Sequence, residues 1–232
     1  MEAKPKALTV LDGISFVLFV VAVIMVFFYA PTEAVMGQVQ RVFYFHVATA
    51  WVGMLGFMAA GVAGIGYLRT NDRKWDIASM ASVEISLVFF FITIVLGSIW
   101  ARPAWGTWWT WDPRLTTATI VELVYAAYLL LRQGIEDPDR RARFGAVYTL
   151  LGFLSVPITF ISIRLLRTIH PVLIASGEAS GDSEMSMTPA MLQTMIFSVI
   201  TFSFIFASLI WHRFRLGRLA EKVEQLRLKF AQ

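Results

Sequence analysis

ISFVLFVVAVIMVFFYA, residues 14–30, runs for seventeen positions without a charged residue. A helix of about 20 apolar residues spans the hydrocarbon core of a bilayer, and this stretch approaches that length with only Ser15 and Tyr29 carrying a polar side-chain atom. Five further runs of similar character follow, at roughly 42–68, 77–100, 116–131, 145–163 and 190–211. Of the 232 residues, 57% are hydrophobic and 16% charged, and the mean hydropathy is +0.66. Those proportions exclude an ordinary soluble domain with one core. The first run is longer than the core of a signal peptide and lacks a small-residue cleavage site, so it reads as a retained anchor. The alternation of a membrane β-barrel is absent. The predicted fold is all-α: a polytopic membrane protein with six transmembrane helices.

Orientation follows from the basic residues, which gather on the cytoplasmic side of membrane proteins. With the N-terminus inside, 15 of the 20 lysines and arginines lie on one side, and only Arg41, Arg102, Arg114, Arg164 and Arg167 on the other. Both termini are therefore expected in the cytoplasm. The net charge of +4 reflects that topology and gives no reason to expect nucleic acid. The chain has no cysteine, which removes disulfides, thiolate metal sites and a CxxCH attachment of haem.

Along the chain, residues 1–13 read as a short basic leader, and helix 1 ends at Ala30-Pro31. Helix 2 carries Gly56, Ala60 and Gly64 at i, i+4 and i+8, a small-residue stripe that lets another helix approach closely. Pro157 predicts a kink in helix 5. The third outer segment, about 164–189, is the longest, and SGEASGDSEMS in its middle reads as flexible. We expect a membrane unit over 1–212, with an outer loop at about 101–116, and a cytoplasmic amphipathic tail over 213–232. The tail spaces Leu216, Leu219, Val223, Leu226 and Phe230 by three and four residues, as in a coiled-coil seam. Two readings stay open: a basic helix resting on anionic membrane lipid, or a docking site for another subunit.

The segment WGTWWTWDPRLT, residues 105–116, places four of the eight tryptophans within seven positions of a predicted outer loop. Interfacial tryptophans normally scatter over many helix ends as an aromatic belt. Trp105, Trp108, Trp109 and Trp111 are instead concentrated, as in a stacking platform for a flat apolar ligand. Asp112 and Pro113 form a good N-cap and first helical residue for helix 4, a structural role that competes with ligand contact. Arg102 and Arg114 bracket the rings with guanidinium groups suited to carboxylates or to lipid phosphates. A flat, carboxylated, apolar ligand suggests a porphyrin, whose iron takes imidazole ligands.

The chain has three histidines. His46, within RVFYFHVATAW, and His170, within RLLRTIHPVLI, fall on the same side as the tryptophans, whereas His212 lies at the opposite end of helix 6 and reads as structural. A histidine at membrane depth is a functional candidate, and one pair suffices for one six-coordinate iron.

Trp105, Gly106, Trp109, Trp111, Asp112, Arg114, Leu115 and Thr116 match the tryptophan-rich signature W-G-x-x-W-x-W-D-x-R-L-T. With six spans and an outer histidine on each side of the motif, nearly the whole chain resembles the haem exporter protein C family (CcmC type) of cytochrome c maturation. The resemblance implies non-covalent binding of haem b on the periplasmic face of the bacterial inner membrane. His46 and His170 are then the axial ligands and the tryptophan loop presents the porphyrin, with Arg41, Arg102, Arg114, Arg164 or Arg167 meeting the propionates. It also implies delivery to a membrane-anchored periplasmic chaperone of the CcmE type and work alongside CcmA-, CcmB- and CcmD-type subunits of an ABC complex. The chain lacks GxxxxGK[ST], so ATP use falls to such a partner. On this reading the protein is a transfer component and not an enzyme. Neutral imidazole is the ligating form, so affinity is expected to fall as pH drops below the histidine pKa.

Two other classes compete. A cytochrome c synthase of the same tryptophan-loop superfamily resembles longer chains with more histidines. A proton or ion transporter is prompted by the intramembrane carboxylates Glu84 and Glu122.

Overall fold

The computed structural model describes residues 3–166, 168–170 and 187–230, without the side chains of Phe160, Ile163, Arg164 and Leu228. Six helices account for nearly all of them: α1 (Lys6–Ile24), α2 (Gln40–Thr70), α3 (Arg73–Trp105), α4 (Pro113–Gln133), α5 (Pro138–Leu165) and α6 (Pro189–Phe230). The last turn of α1 widens to a π turn over Met25–Tyr29. Each of the six is long and apolar enough to cross a membrane, so the chain is an all-α, six-span membrane protein.

Helix α2 is central and packs against α3, α5 and α6, while α1 lies on α6 and α4 joins α3 to α5. The small-residue stripe accounts for this position. A Cβ at Gly56 would fall 1.8 Å from Ser86 Oγ on α3 and 2.5 Å from Phe206 on α6. One at Gly64 would fall 2.8 Å from the Ala146 carbonyl oxygen on α5. Ala60 between them is fully buried. The stripe thus serves three neighbours, which is packing by backbone approach.

Helix starts follow local rules. Asp72, Asp112 and Asp137 each accept a hydrogen bond from a first-turn amide, at 2.9, 2.9 and 2.6 Å, and satisfy amides that have no partner inside the helix. Pro113 and Pro138 occupy the first helical position, where the missing N–H costs nothing. The Lys74 side chain and amide hold the exposed Asp72 carboxyl below the usual carboxylate range.

Several boundaries differ from those expected. The leader is not separate, because α1 begins at Lys6. Asp12 supplies the reason: it pairs with Lys4 at 2.5 Å, accepts from Ser208 and meets His212 Nε2 at 3.0 Å. That cluster ties the start of α1 to α6 and gives His212 its structural partner. The expected outer loop at 101–116 is shorter: α3 continues through Pro103 to Trp105 and α4 begins at Pro113, leaving 106–112 as the link. Pro103 has no N–H to donate back to the Ile99 carbonyl, so one intrahelical bond is missing in the turn before α3 ends. The tail likewise does not begin a new element, since α6 runs unbroken through residue 212 to Phe230. Helix α5 continues past Pro157. The segment SGEASGDSEMS and Arg167 lie outside the described residues, as does the Arg164 side chain.

Between α3 and α4, Arg132 and Asp76 form a buried two-pronged ion pair at 2.5 and 3.0 Å, with the guanidinium over the Tyr128 ring at 5.5 Å. Glu84 on α3 pairs with Arg213 on α6. Glu122 keeps one buried carboxyl oxygen without a hydrogen-bond partner among the described residues.

Candidate functional site

A cleft opens at the motif end of the bundle, among α2, α3, α4, α5 and the segment at His170. His46 enters it from the second turn of α2. Its Nδ1 lies 2.9 Å from the backbone carbonyl oxygen of Thr93 on α3. A carbonyl only accepts, so Nδ1 carries the proton and donates it, which leaves the lone pair on Nε2. A hydrogen bond at the other ring nitrogen is how proteins orient a ligating imidazole. Gly97, one turn beyond Thr93, makes room for the ring: a Cβ there would fall 2.8 Å from His46 Cε1 and 3.0 Å from Nδ1.

His170 faces His46 across the cleft. Their ring centres are 6.3 Å apart with planes inclined by 38°. Two imidazoles sharing one metal, at bonds of about 2 Å each, place their ring centres about 6 Å apart. Trp105 stands edge-on to His170 at 6.3 Å and to Trp100 at 5.6 Å. His170 is held through its backbone, whose N–H donates to Thr168 Oγ1 at 3.1 Å. The Thr168 hydroxyl in turn donates to Asp112 Oδ2, while Asp112 Oδ1 caps α4. One carboxylate thus starts α4 and ties the tryptophan link to the segment bearing the second imidazole.

The tryptophans divide into two pairs. Trp105 and Trp109 line the cleft. The Trp109 Nε1–H is buried with no acceptor among the described residues, the kind of donor that a ligand oxygen satisfies. Trp108 and Trp111 are 57% and 73% exposed, and Trp111 meets the cleft only through its edge-on contact with Trp109 at 5.7 Å. Gly106 caps α3 at φ +74°, a left-handed conformation that glycine adopts without steric cost.

The arginines also separate. Arg114 lines the cleft. Arg102 instead donates to the Gly106 carbonyl and braces the end of α3. Arg41 donates to the Phe27 carbonyl and lies over the Phe27 ring at 5.3 Å, so it fastens α2 to the end of α1. Neither points its guanidinium into the cleft.

Four contributors escaped the sequence reading. Trp100 lines the cleft and donates through Nε1 to Gln40 Oε1 at 3.1 Å. Thr93 and Gly97 hold the His46 ring. The available signal was their i, i+4 spacing on the helix that leads into the motif, opposite an intramembrane histidine. Thr168 carried no signal before its distance to Asp112 was known. The cleft closes inward at Met54 and Phe90. Beyond these, the Phe57 and Tyr125 rings stack at 4.0 Å and 8°, with the Tyr125 hydroxyl donating to the Phe57 carbonyl at 3.2 Å.

An apolar slot with two opposed imidazoles, a guanidinium and an unpartnered indole N–H suits a flat, metal-bearing, carboxylated molecule. Comparison with known proteins points the same way. Residues 1–229 match the family model described as "Heme exporter protein C". The protein of that name from Bradyrhizobium diazoefficiens is 32% identical over 199 residues, covering 86% of this chain and 74% of the relative. Its Escherichia coli counterpart is 30% identical over 189 residues, covering 82% and 74%. A ccmC-like mitochondrial protein of cytochrome c biosynthesis from Marchantia polymorpha is 27% identical over 161 residues, covering 69% and 68%. With the family model matched over almost its whole length, the chain belongs to the haem exporter protein C family.

Proposed function

We propose that this protein binds haem b at the motif end of the bundle and hands it to an acceptor for cytochrome c maturation, acting as a transfer component and not as an enzyme. The observation that carries the reading is the opposition of His46 and His170 at 6.3 Å between ring centres, with the His46 Nδ1 engaged by Thr93. His46 Nε2 and a His170 ring nitrogen bind the iron from opposite faces of the porphyrin. Trp105 and Trp109 contact the macrocycle, and Arg114 with the Trp109 N–H meets a propionate. Trp108 and Trp111 are exposed, so we assign them to the rim, where an acceptor or the lipid headgroups meet the loop. Asp112 and Gly106 shape the link. Arg102 and Arg41 brace the helix ends that carry it.

The basic end of the bundle faces the cytoplasm, following the charge bias, and the cleft opens on the periplasmic side of the inner membrane. The acceptor is a periplasmic chaperone of the CcmE type. CcmA-, CcmB- and CcmD-type subunits supply the ATP-driven step that this chain cannot perform. Release requires loss or exchange of at least one axial bond.

Optical spectroscopy tests the core of the reading. Purified protein loaded with haem b should give a six-coordinate low-spin spectrum, and His46→Ala and His170→Ala should each lose it. A parental spectrum in both variants would overturn the two-histidine assignment.

A further inference from the structure

The cytoplasm-facing half of α6 carries a feature that haem binding does not use. Leu216, Leu219, Val223, Leu226 and Phe230 repeat at the a and d positions of a heptad, and each is between 41% and 87% exposed. The opposite face is occupied. A Cβ at Gly217 would fall 2.5 Å from Ile77 of α3, and Glu221 pairs with Arg73 at the start of α3 at 3.7 Å. The tail is therefore fastened to the bundle through its b and f positions and turns its apolar seam away. A groove runs along that seam, bounded by Pro5 at the start of α1.

We propose that this seam docks an amphipathic helix of a partner protein, one with an apolar a/d stripe flanked by glutamates or aspartates. The flanking e and g positions choose partners in such packings. Here they hold Arg215, Ala220, Lys222, Arg227 and Lys229, so every charged flank is basic. The acidic residues of this stretch, Glu221 and Glu224, stand at f and b; Glu221 is held by Arg73, and Glu224 meets Arg227 at 3.8 Å in an exposed pair that solvent screens. A second copy of the chain would set basic flank against basic flank, which disfavours self-pairing. An acidic-flanked helix reverses that sign at each position.

A lipid surface fits less well. The 42 residues of α6 extend about 63 Å, roughly twice the hydrocarbon thickness of about 30 Å. To lie on headgroups, the tail would have to turn sharply where it leaves the bilayer. Instead α6 is unbroken through Arg213 to Phe230, and Gly217, the one residue that would favour a bend, is committed to its contact with Ile77.

The test uses the full chain in phosphatidylcholine nanodiscs and two labelled helices of about four heptads. Both carry the same Ile/Leu seam, one with Glu and the other with Lys at every e and g position. The Glu helix should bind at least about tenfold more tightly. Replacing Arg215, Lys222, Arg227 and Lys229 together with Glu should invert the preference, and Leu219→Asp with Val223→Asp should abolish binding of either helix. Circular dichroism confirms that the variants keep their helicity. Equal binding of the two helices, or of neither, overturns the proposal. So does a fluorophore on a Leu226→Cys variant that responds to added phosphatidylglycerol and not to the Glu helix, since a lipid surface is then the occupant. Concentration-dependent self-association that the Glu helix fails to displace overturns it as well.

Discussion

At the scale of single residues, the cleft depends on groups that make room or hold position as much as on those that bind. Gly97 is a clear case. A methyl group 2.8 Å from His46 Cε1 must push the imidazole off its hydrogen bond to Thr93. Gly97→Ala is therefore expected to weaken haem b binding by at least about tenfold while the protein remains folded. Thr93→Val is the control, because the acceptor is the backbone carbonyl and survives the change. Titration with haem b followed optically compares the two; equal losses would mean that ring position is not what Gly97 protects. Thr168 acts on the other imidazole. Its hydroxyl links Asp112 to the backbone of His170. Thr168→Val should leave the His46 side ligated and convert part of the low-spin haem to high spin, and Thr168→Ser should restore it. A Thr168→Val spectrum identical to the parent's would remove the link from the mechanism.

At the scale of elements, what was legible in the sequence was whatever a local pattern encodes. The Asp112-Pro113 start of α4 and the Gly56–Ala60–Gly64 face of α2 could be read because cap chemistry and helical spacing act within a few residues. The Asp76–Arg132 pair joins positions 56 residues apart, and the Asp12–His212 contact spans 200. No periodicity announces either, because each exists only after the helices have docked. The first of these pairs carries a stability prediction. Both its side chains are less than a tenth exposed; stranding one charge of a buried pair costs about 3–5 kcal/mol, and without Arg132 the Asp76 carboxylate is left with Arg73 at 3.9 Å. Arg132→Ala should thus lower the apparent melting temperature in detergent markedly. The double replacement Asp76→Leu with Arg132→Met should recover most of the loss, since apolar residues of similar size often substitute for a buried pair. A double variant as unstable as the single one would mean that the pair fixes the α3–α4 geometry in a way that packing cannot.

At the scale of the molecule, the sequence could place the two histidines on one side of the membrane but not set their separation. Residues 46 and 170 belong to segments with three helices between them, and only the bundle brings their rings to 6.3 Å. The same bundle bears on the route of haem. Below the cleft, Met54 and Phe90 are followed by the stacked Phe57–Tyr125 pair, then by the Asp76–Arg132 pair near the basic end. Moving a porphyrin through that order would require separating a close-packed core and a buried ion pair, both costly. Entry from the motif side, or laterally from the bilayer at cleft depth, requires neither. Protein inserted in one orientation in sealed vesicles should therefore load haem from a membrane-impermeant carrier protein added on the motif side. The same carrier on the basic side should load it at least about tenfold more slowly. Equal rates from both sides, in vesicles whose lipid alone passes no haem, would establish a path through the chain and refute the closed floor.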